Sequence, residues 1–494
     1  MLDLISLISY FGLVSICWIT YRLYIWPHYL SPLRNIPGPP SENILFGNFQ
    51  RFFNEGGGET HLRWIKKYGN LVKYYGLFNT PTIIVTDAKL IQDILLSNGY
   101  DFVKPKLVRG DFESIIGVGL AFVEGNAHKR QRKMMNPAFT HLKIKNMVPT
   151  FSNVALKLIS LLEDKLDKGE SKINLSPYIS KATLDVIGLV GFNYEFNSLT
   201  SQSELAEAYE SFSTTDLPFS QIMIGIIAAY LPIIRKIPIN INKRFNNACK
   251  VIERESSKLM EEKLQDDKNN KLNGHDLLSI LININKTLPI EEKLTNLELK
   301  YQIMTFLFAG HETTSNATSW ALYLLAQHPN VQDLLRDELV KAFPDKSKFN
   351  PTFEEINSLE YLNCVIKETL RLYAPVTAMR RTNINDKMLG DIFIPKNTVI
   401  DIPIATLQRL PSIWGPTVED FDPTRWLNPS LTENVTNYNY MPFGAGIRSC
   451  IGNKLALSEF KILLSMFVRN FTFQTIEGFH INKKAGFLLK PNPY

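Results

Sequence analysis

The chain has 494 residues, 45% hydrophobic, 21% charged and 11% aromatic, proportions that exclude wholesale disorder, collagen-like repeats and low-complexity fibre. A net charge of +6 suits an acidic protein partner or an anionic membrane surface, and is too weak to indicate nucleic acid. The four scattered cysteines, Cys17, Cys249, Cys364 and Cys450, are too few for a disulfide framework and point to a reducing compartment.

Residues 1–26 carry only two charged side chains, Asp3 and Arg22. As a helix rising about 1.5 Å per residue, the apolar run from Leu4 to Tyr21 crosses most of a bilayer. Tyr10, Trp18, Tyr21, Tyr24 and Trp26 are aromatics suited to its interfaces. No basic stretch precedes the run and no small-residue cleavage site follows it, which favours a retained single-pass anchor over a cleaved signal peptide. Arg22 and Arg34 follow the span, so the positive-inside bias places the remainder in the cytosol. Residues 27–40, ending Asn35-Ile36-Pro37-Gly38-Pro39-Pro40, read as a stiff hinge, because proline fixes φ and lacks a donor.

The body, residues 41–494, shows no repeat and no long linker. Strand-like runs at Leu71–Leu77 and Thr82–Thr86 flank Phe78-Asn79-Thr80-Pro81. Helical periodicity then dominates, over 141–170, 245–266, 294–328, 328–342, 359–372 and 454–467, and short strands return around 392–404 and 470–490. The expected class is mainly α with small β sheets, in one large unit.

Three common motifs are absent. His311-Glu312 begins like a zinc-protease helix, but Ser315 occupies the second ligand position. Gly444-Ala445-Gly446 lacks the third glycine of a dinucleotide fingerprint, and no phosphate loop or nucleophile elbow occurs.

Four patterns carry chemistry. In Phe443-Gly444-Ala445-Gly446-Ile447-Arg448-Ser449-Cys450-Ile451-Gly452, two glycines permit a tight turn ahead of a cysteine at a helix start. Backbone N–H groups and the helix dipole there favour thiolate, the form that ligates iron. Arg448 adds a nearby cation suited to a carboxylate. Glu368 and Arg371, three apart on a helix, share a face; alone, such a pair is usually a solvated ion pair of little worth. Thr305–Thr314 lies in a helical run, Leu297 to Gln327, of roughly 45 Å, and carries Gly310, Glu312, Thr313 and Thr314. Gly310 and the β-branched threonines should permit a local opening of the ladder. Gly125–Lys133 is basic and includes His128 and Arg132.

The decapeptide ending at Gly452 resembles the haem-binding signature of the cytochrome P450 family, the haem-thiolate monooxygenases, and the other patterns follow in the family's order. The resemblance covers roughly residues 35–494 and is closest to microsomal eukaryotic members. It implies a single large haem domain of the family's fold behind the anchor. It implies haem b, with Cys450 as the axial thiolate ligand to iron, Arg448 pairing with a propionate and Phe443 packing near the sulfur. Arg132 and, in place of the family's usual tryptophan, His128 would reach a propionate; Arg381 would supply another, although Arg380 beside it leaves the register ambiguous. Glu368, Arg371 and Arg425 would form a structural network, with Trp426 where phenylalanine is commoner. Glu312 and Thr313 would relay protons at the oxygen site, beside the small Ala309. Phe308, Ala309, Val376 and Thr377 would touch substrate.

The implied partners are an NADPH-dependent flavoprotein reductase, a cytochrome b-type donor as a second possible electron source, a membrane and a lipophilic small-molecule substrate, with no nucleic acid. The implied location is the endoplasmic reticulum membrane, with the catalytic body facing the cytosol. The basic residues Lys129, Arg130, Arg132 and Lys133 fit an acidic flavoprotein surface or a plain solvated helix face. Residues 217–239 are very apolar and fit either a membrane-dipping substrate entrance or core. Two other classes share the cofactor: an isomerase or dehydratase of oxygenated lipids that needs no reductase, and a non-enzymatic haem carrier or sensor. The Glu312-Thr313 pair argues for the monooxygenase over both.

Overall fold

The computed structural model describes residues 2–55, 58–212, 218–272, 274–345, 349–479, 481–482 and 488–493. Leu217, part of the apolar 217–239 stretch, and parts of the expected 470–490 strand region lie outside them. The described chain is mostly helical and forms two compact units. One comprises Met1–Pro105, Thr377–Ile413 and Val435–Arg448; the other comprises Lys106–Val376, Trp414–Asn434 and Ser449–Tyr494.

The first unit is built on a five-stranded sheet. Its strands are β1 (Leu71–Tyr75), β2 (Pro81–Val85), β3 (Phe102–Val103), β4 (Met379–Asn383) and β7 (Val399–Ile402), in the order β1-β2-β7-β4-β3. Strands β5 (Lys387–Leu389) and β6 (Ile392–Ile394) form a separate hairpin. The β1–β2 pair matches the expected runs; β4 does not, because its Met-Arg-Arg-Thr-Asn lacks the apolar alternation by which a strand is recognised. Every residue of β2 is buried, consistent with its apolar run and its central place.

The N-terminal helix runs from Leu2 to Thr20 and continues, widened to a π register, from Tyr21 to Leu30. Its apolar span Leu4–Leu30 is long enough to cross a membrane; residues 4–21 are exposed, while Pro27 is buried. Pro27 explains the widening, since it removes the N–H that Leu23 O would accept in an α-helix. The Asn79 side chain, at the left-handed β1–β2 turn, donates to that carbonyl at 2.6 Å and lies 3.0 Å from His28 Nε2. Beyond Leu30 the backbone leaves the helix and then lies along β1: Lys73 N donates to Pro37 O at 2.9 Å. Gly38 must be glycine there, because a Cβ would meet Lys73 O at 1.7 Å.

The second unit surrounds one 32-residue helix, Asn296–Gln327, opened by a capping box between Thr295 and Glu298. Helices Val148–Asp167, Ser176–Phe192 and Asn453–Asn470 pack in the same unit, and residues 302–308 and 314–322 of the long helix are buried. The expected opening at Gly310 is absent, and the α-helical ladder is continuous. The glycine serves packing instead: a Cβ there would press within 2.7 Å of Ile187 Cδ1.

Candidate active site

The cysteine loop takes its shape from its glycines. Gly444 and Gly446 hold φ of 68° and 72°, and a Cβ on Gly446 would meet Leu95 O at 2.0 Å. Phe443 is half-buried ahead of this turn. Arg448 closes the short 3-10 turn Gly446–Arg448, with its guanidinium 5.2 Å from the Tyr100 ring centroid.

Cys450 lies two residues ahead of Gly452, the cap of helix Asn453–Asn470. Its side chain is accessible, yet enough protein surrounds it that burial raises the thiol above its ordinary value. The Gly452 N–H and the Arg132 charge oppose that rise without overcoming it. Helix-end stabilisation, expected from sequence to favour thiolate, is therefore outweighed in the protein alone. A cation on the sulfur reverses the balance, since a coordinating thiol is deprotonated outright. The donor set therefore fits a metal-centred cofactor that takes one sulfur.

Arg132, on helix Gly125–Met135, donates from Nη1 to Ser449 O at 2.6 Å and from Nε to Asn136 Oδ1 at 3.1 Å. It braces the backbone immediately before Cys450. His128, one turn earlier, is buried. Arg130 turns to Glu298 and Lys293 O, so half of the basic cluster is engaged inside the unit and only Lys129 and Lys133 are exposed.

The long helix presents an accessible window within its buried length. Ala309 is exposed and Thr313, four residues on, is half-buried, with Thr313 Oγ1 donating to Ala309 O at 2.8 Å. Phe308 is buried, 6.4 Å from the Phe112 ring and 6.0 Å from Tyr209. Glu312 does not share the Thr313 face. It is 1% exposed, paired with Lys490 Nζ at 2.7 Å and 3.8 Å from His311 Nε2. His311 in turn bonds Ser180 Oγ at 2.7 Å, and burial holds its imidazole down at about 4, hence neutral. Sequence reasoning missed Lys490, which lies 178 positions from Glu312 with no local signal linking them.

It also missed Glu459, buried on the helix that follows Cys450, where desolvation pushes its carboxyl well above the ordinary range despite a bond to Thr314. The signal available was an acid inside the apolar run Leu455–Phe467.

The Glu368 network is complete. Arg371 Nη2 and Nε reach Glu368 at 2.7 and 2.9 Å, and Arg425 Nε reaches it at 3.4 Å. The remaining guanidinium donors meet the carbonyls of Val418, Asp420, Trp414 and Thr417. All three charged side chains are fully buried, so this is no solvated surface pair. Trp426 Nε1 donates to Glu368 Oε2 at 3.0 Å, a bond that phenylalanine lacks.

Val376 is half-buried next to Pro375, whose carbonyl accepts from Leu489 N at 2.8 Å. In the other unit Thr377 O accepts from Ala405 N at 2.9 Å. Arg380 pairs with the buried Asp401 at 3.4 Å, whereas Arg381, the next residue along β4, points to the opposite face of the strand. Arg380 is thus committed to its own sheet.

Comparison with known proteins gives one family. The family model "Cytochrome P450" matches residues 37–494. Cytochrome P450 monooxygenase 205 of Postia placenta is 36% identical over 93% of this chain and 90% of its own length. Cytochrome P450 monooxygenase sphH of Aspergillus fumigatus is 30% identical over 97% and 92%, and cytochrome P450 monooxygenase FUM15 of Gibberella moniliformis 29% over 95% and 87%.

Proposed function

Because the chain belongs to the cytochrome P450 family, whose cofactor is haem iron with an axial cysteine thiolate, we propose that Cys450 supplies that thiolate in a membrane-anchored monooxygenase of lipophilic organic molecules. The observation that carries this reading is the Cys450 loop itself, an accessible thiol ringed by protein, shaped by two left-handed glycines and braced through Ser449 by Arg132. Bound haem would supply the activation of O2, one atom entering the substrate and the other leaving as water with the two electrons and two protons delivered.

The protein's own groups do the rest. Arg132, Arg448, Arg381 and His128 are the donors for the propionates, and Phe443 the aromatic beside the sulfur. Ala309 leaves room for oxygen and substrate where a larger residue would fill the window. Thr313 carries the hydroxyl of that face, and Glu312 is the acid next to it in the chain. Phe308, Val376 and Thr377 supply the apolar contacts to substrate. Electrons come from a redox partner, which we assign to an NADPH-dependent flavoprotein reductase, with a cytochrome b-type protein as a second donor. Lys129 and Lys133 are the exposed cations of the docking face.

Entry from the membrane is supported by the segment after helix Phe219–Tyr230. Tyr230, Leu231, Ile233 and Ile237 are exposed, with the exposed Lys236 among them, while Arg235 turns inward to Asp111 and Asn242. This apolar tip and the N-terminal helix suit a bilayer interface, with the body on the cytosolic side of the endoplasmic reticulum. Deleting residues 2–20 of that helix, exposed from residue 4 onward, is expected to move the protein partly from membrane to soluble fraction, the apolar tip retaining the remainder. The haem spectrum should be unchanged; its loss would place the helix in the core.

Thr313→Ala tests the reading. Alanine keeps the small volume and helix propensity, so fold and haem content hold. With a purified reductase and a panel of fatty acids, sterols and aromatics, NADPH oxidation should continue while product falls several-fold and hydrogen peroxide rises. Unchanged product per NADPH removes Thr313 from proton delivery. Turnover of a lipid hydroperoxide with no reductase would instead identify an isomerase.

A further inference from the structure

We infer that Lys490 is a positioning residue for Glu312, a latch from the C-terminal segment that holds the acid's side chain away from the Thr313 face. This deepens the proposed reading, since it assigns control over the acid that the reading places in proton delivery.

Three observations place the latch. Lys490 Nζ lies 2.7 Å from Glu312 Oε2, with the lysine 17% and the glutamate 1% exposed. The segment carrying Lys490 is held on both sides of the preceding residue: Leu489 O accepts from Trp320 Nε1 at 2.9 Å, and Leu489 N donates to Pro375 O at 2.8 Å. Trp320 is itself fixed by stacking on Tyr373, with ring centroids 4.0 Å apart and planes 10° from parallel. A long, flexible lysine is thereby delivered to one point on the long helix by a clamped backbone.

The surroundings make that charge decisive. A carboxylate removed from water needs a paired cation, and an ion pair broken by deleting one partner leaves the other charge uncompensated. The groups near Glu312 are His311, Tyr209 and Lys490, with Ser180 occupied by His311. His311 is held neutral and Tyr209 is a buried phenol whose pKa is raised well above its ordinary value, so among the described residues Lys490 supplies the positive charge. Successive residues on a helix are turned by about 100°. The ion pair with Lys490 therefore opposes any turn of the Glu312 side chain toward Thr313.

The test uses the haem-loaded full-length protein and infrared difference spectroscopy at neutral pH. Lys490→Met is expected to show a protonated-carboxyl stretching band that disappears in Lys490→Met/Glu312→Gln, while Lys490→Arg shows none. Thermal melting supplies the second measurement. Lys490→Met should lower the melting temperature in the parent protein and change it far less in the Glu312→Gln background, since the two residues act as one unit. A Lys490→Met protein without the Glu312 band, or equal melting losses in both backgrounds, would overturn the latch. Either result leaves the Thr313→Ala outcome untouched, so failure of the latch and failure of the monooxygenase reading are distinguishable.

Discussion

Replacing Cys450 with alanine is expected to abolish the thiolate signature of the reduced, carbon-monoxide-bound protein and all NADPH-dependent oxygenation. A variant that retains the thiolate-type Soret band would assign the ligand elsewhere. The other three cysteines offer no substitute. Cys17 is exposed on the apolar N-terminal helix, and burial pushes the Cys249 thiol up to about 12 and raises that of Cys364. Their alanine variants should leave the spectrum unchanged. The raised Cys450 thiol carries a corollary: without the cofactor, alkylation of Cys450 should be slow at neutral pH despite its accessibility, because the nucleophile is the thiolate.

Glu368→Gln is expected to cost about 3–5 kcal/mol of folding stability, the range for an uncompensated buried charge. The amide matches the carboxylate in size, so the loss is electrostatic. Arg371 and Arg425, both fully buried, would share a neutral partner, and their carbonyl contacts at Val418, Asp420, Trp414 and Thr417 do not neutralise charge. Urea unfolding of the haem-loaded variant measures the loss. A midpoint within experimental error of the parent would show that the network carries no net stability. Because none of these groups belongs to the cysteine loop, haem that remains bound should keep its thiolate spectrum, which separates a structural role from ligation.

Much of the architecture is legible in the amino-acid sequence. The runs at 294–328, 328–342 and 359–372 are legible as helix, the first opening at a Thr295 cap and the second at Pro329, and the structure places helices at Asn296–Gln327, Pro329–Ala342 and Glu360–Leu372. The cysteine loop is local chemistry, since two glycines must adopt positive φ within a few residues of the thiol. The apolar N-terminal run is compositional, and only its extension through Pro27 to Leu30 goes beyond what composition indicates.

Burial and long-range pairing required the tertiary structure. An i, i+3 Glu–Arg pair has one sequence signature whether it is solvated or sealed, and only packing made Glu368–Arg371 fully buried and brought Arg425 and Trp426 to it. Gly310 lowers helix propensity in any local account, yet its neighbour Ile187 turned it into a packing site in an unbroken helix. Thiol ionisation reversed for the same reason, because desolvation is a property of everything around Cys450 and outweighs the nearby helix end. Glu312 stands beside Thr313 in the chain, but helix geometry turns the two apart, and a lysine 178 residues away takes the acid. Local covalent neighbours fix which groups are available; the folded chain fixes which of them are dry, charged and in contact.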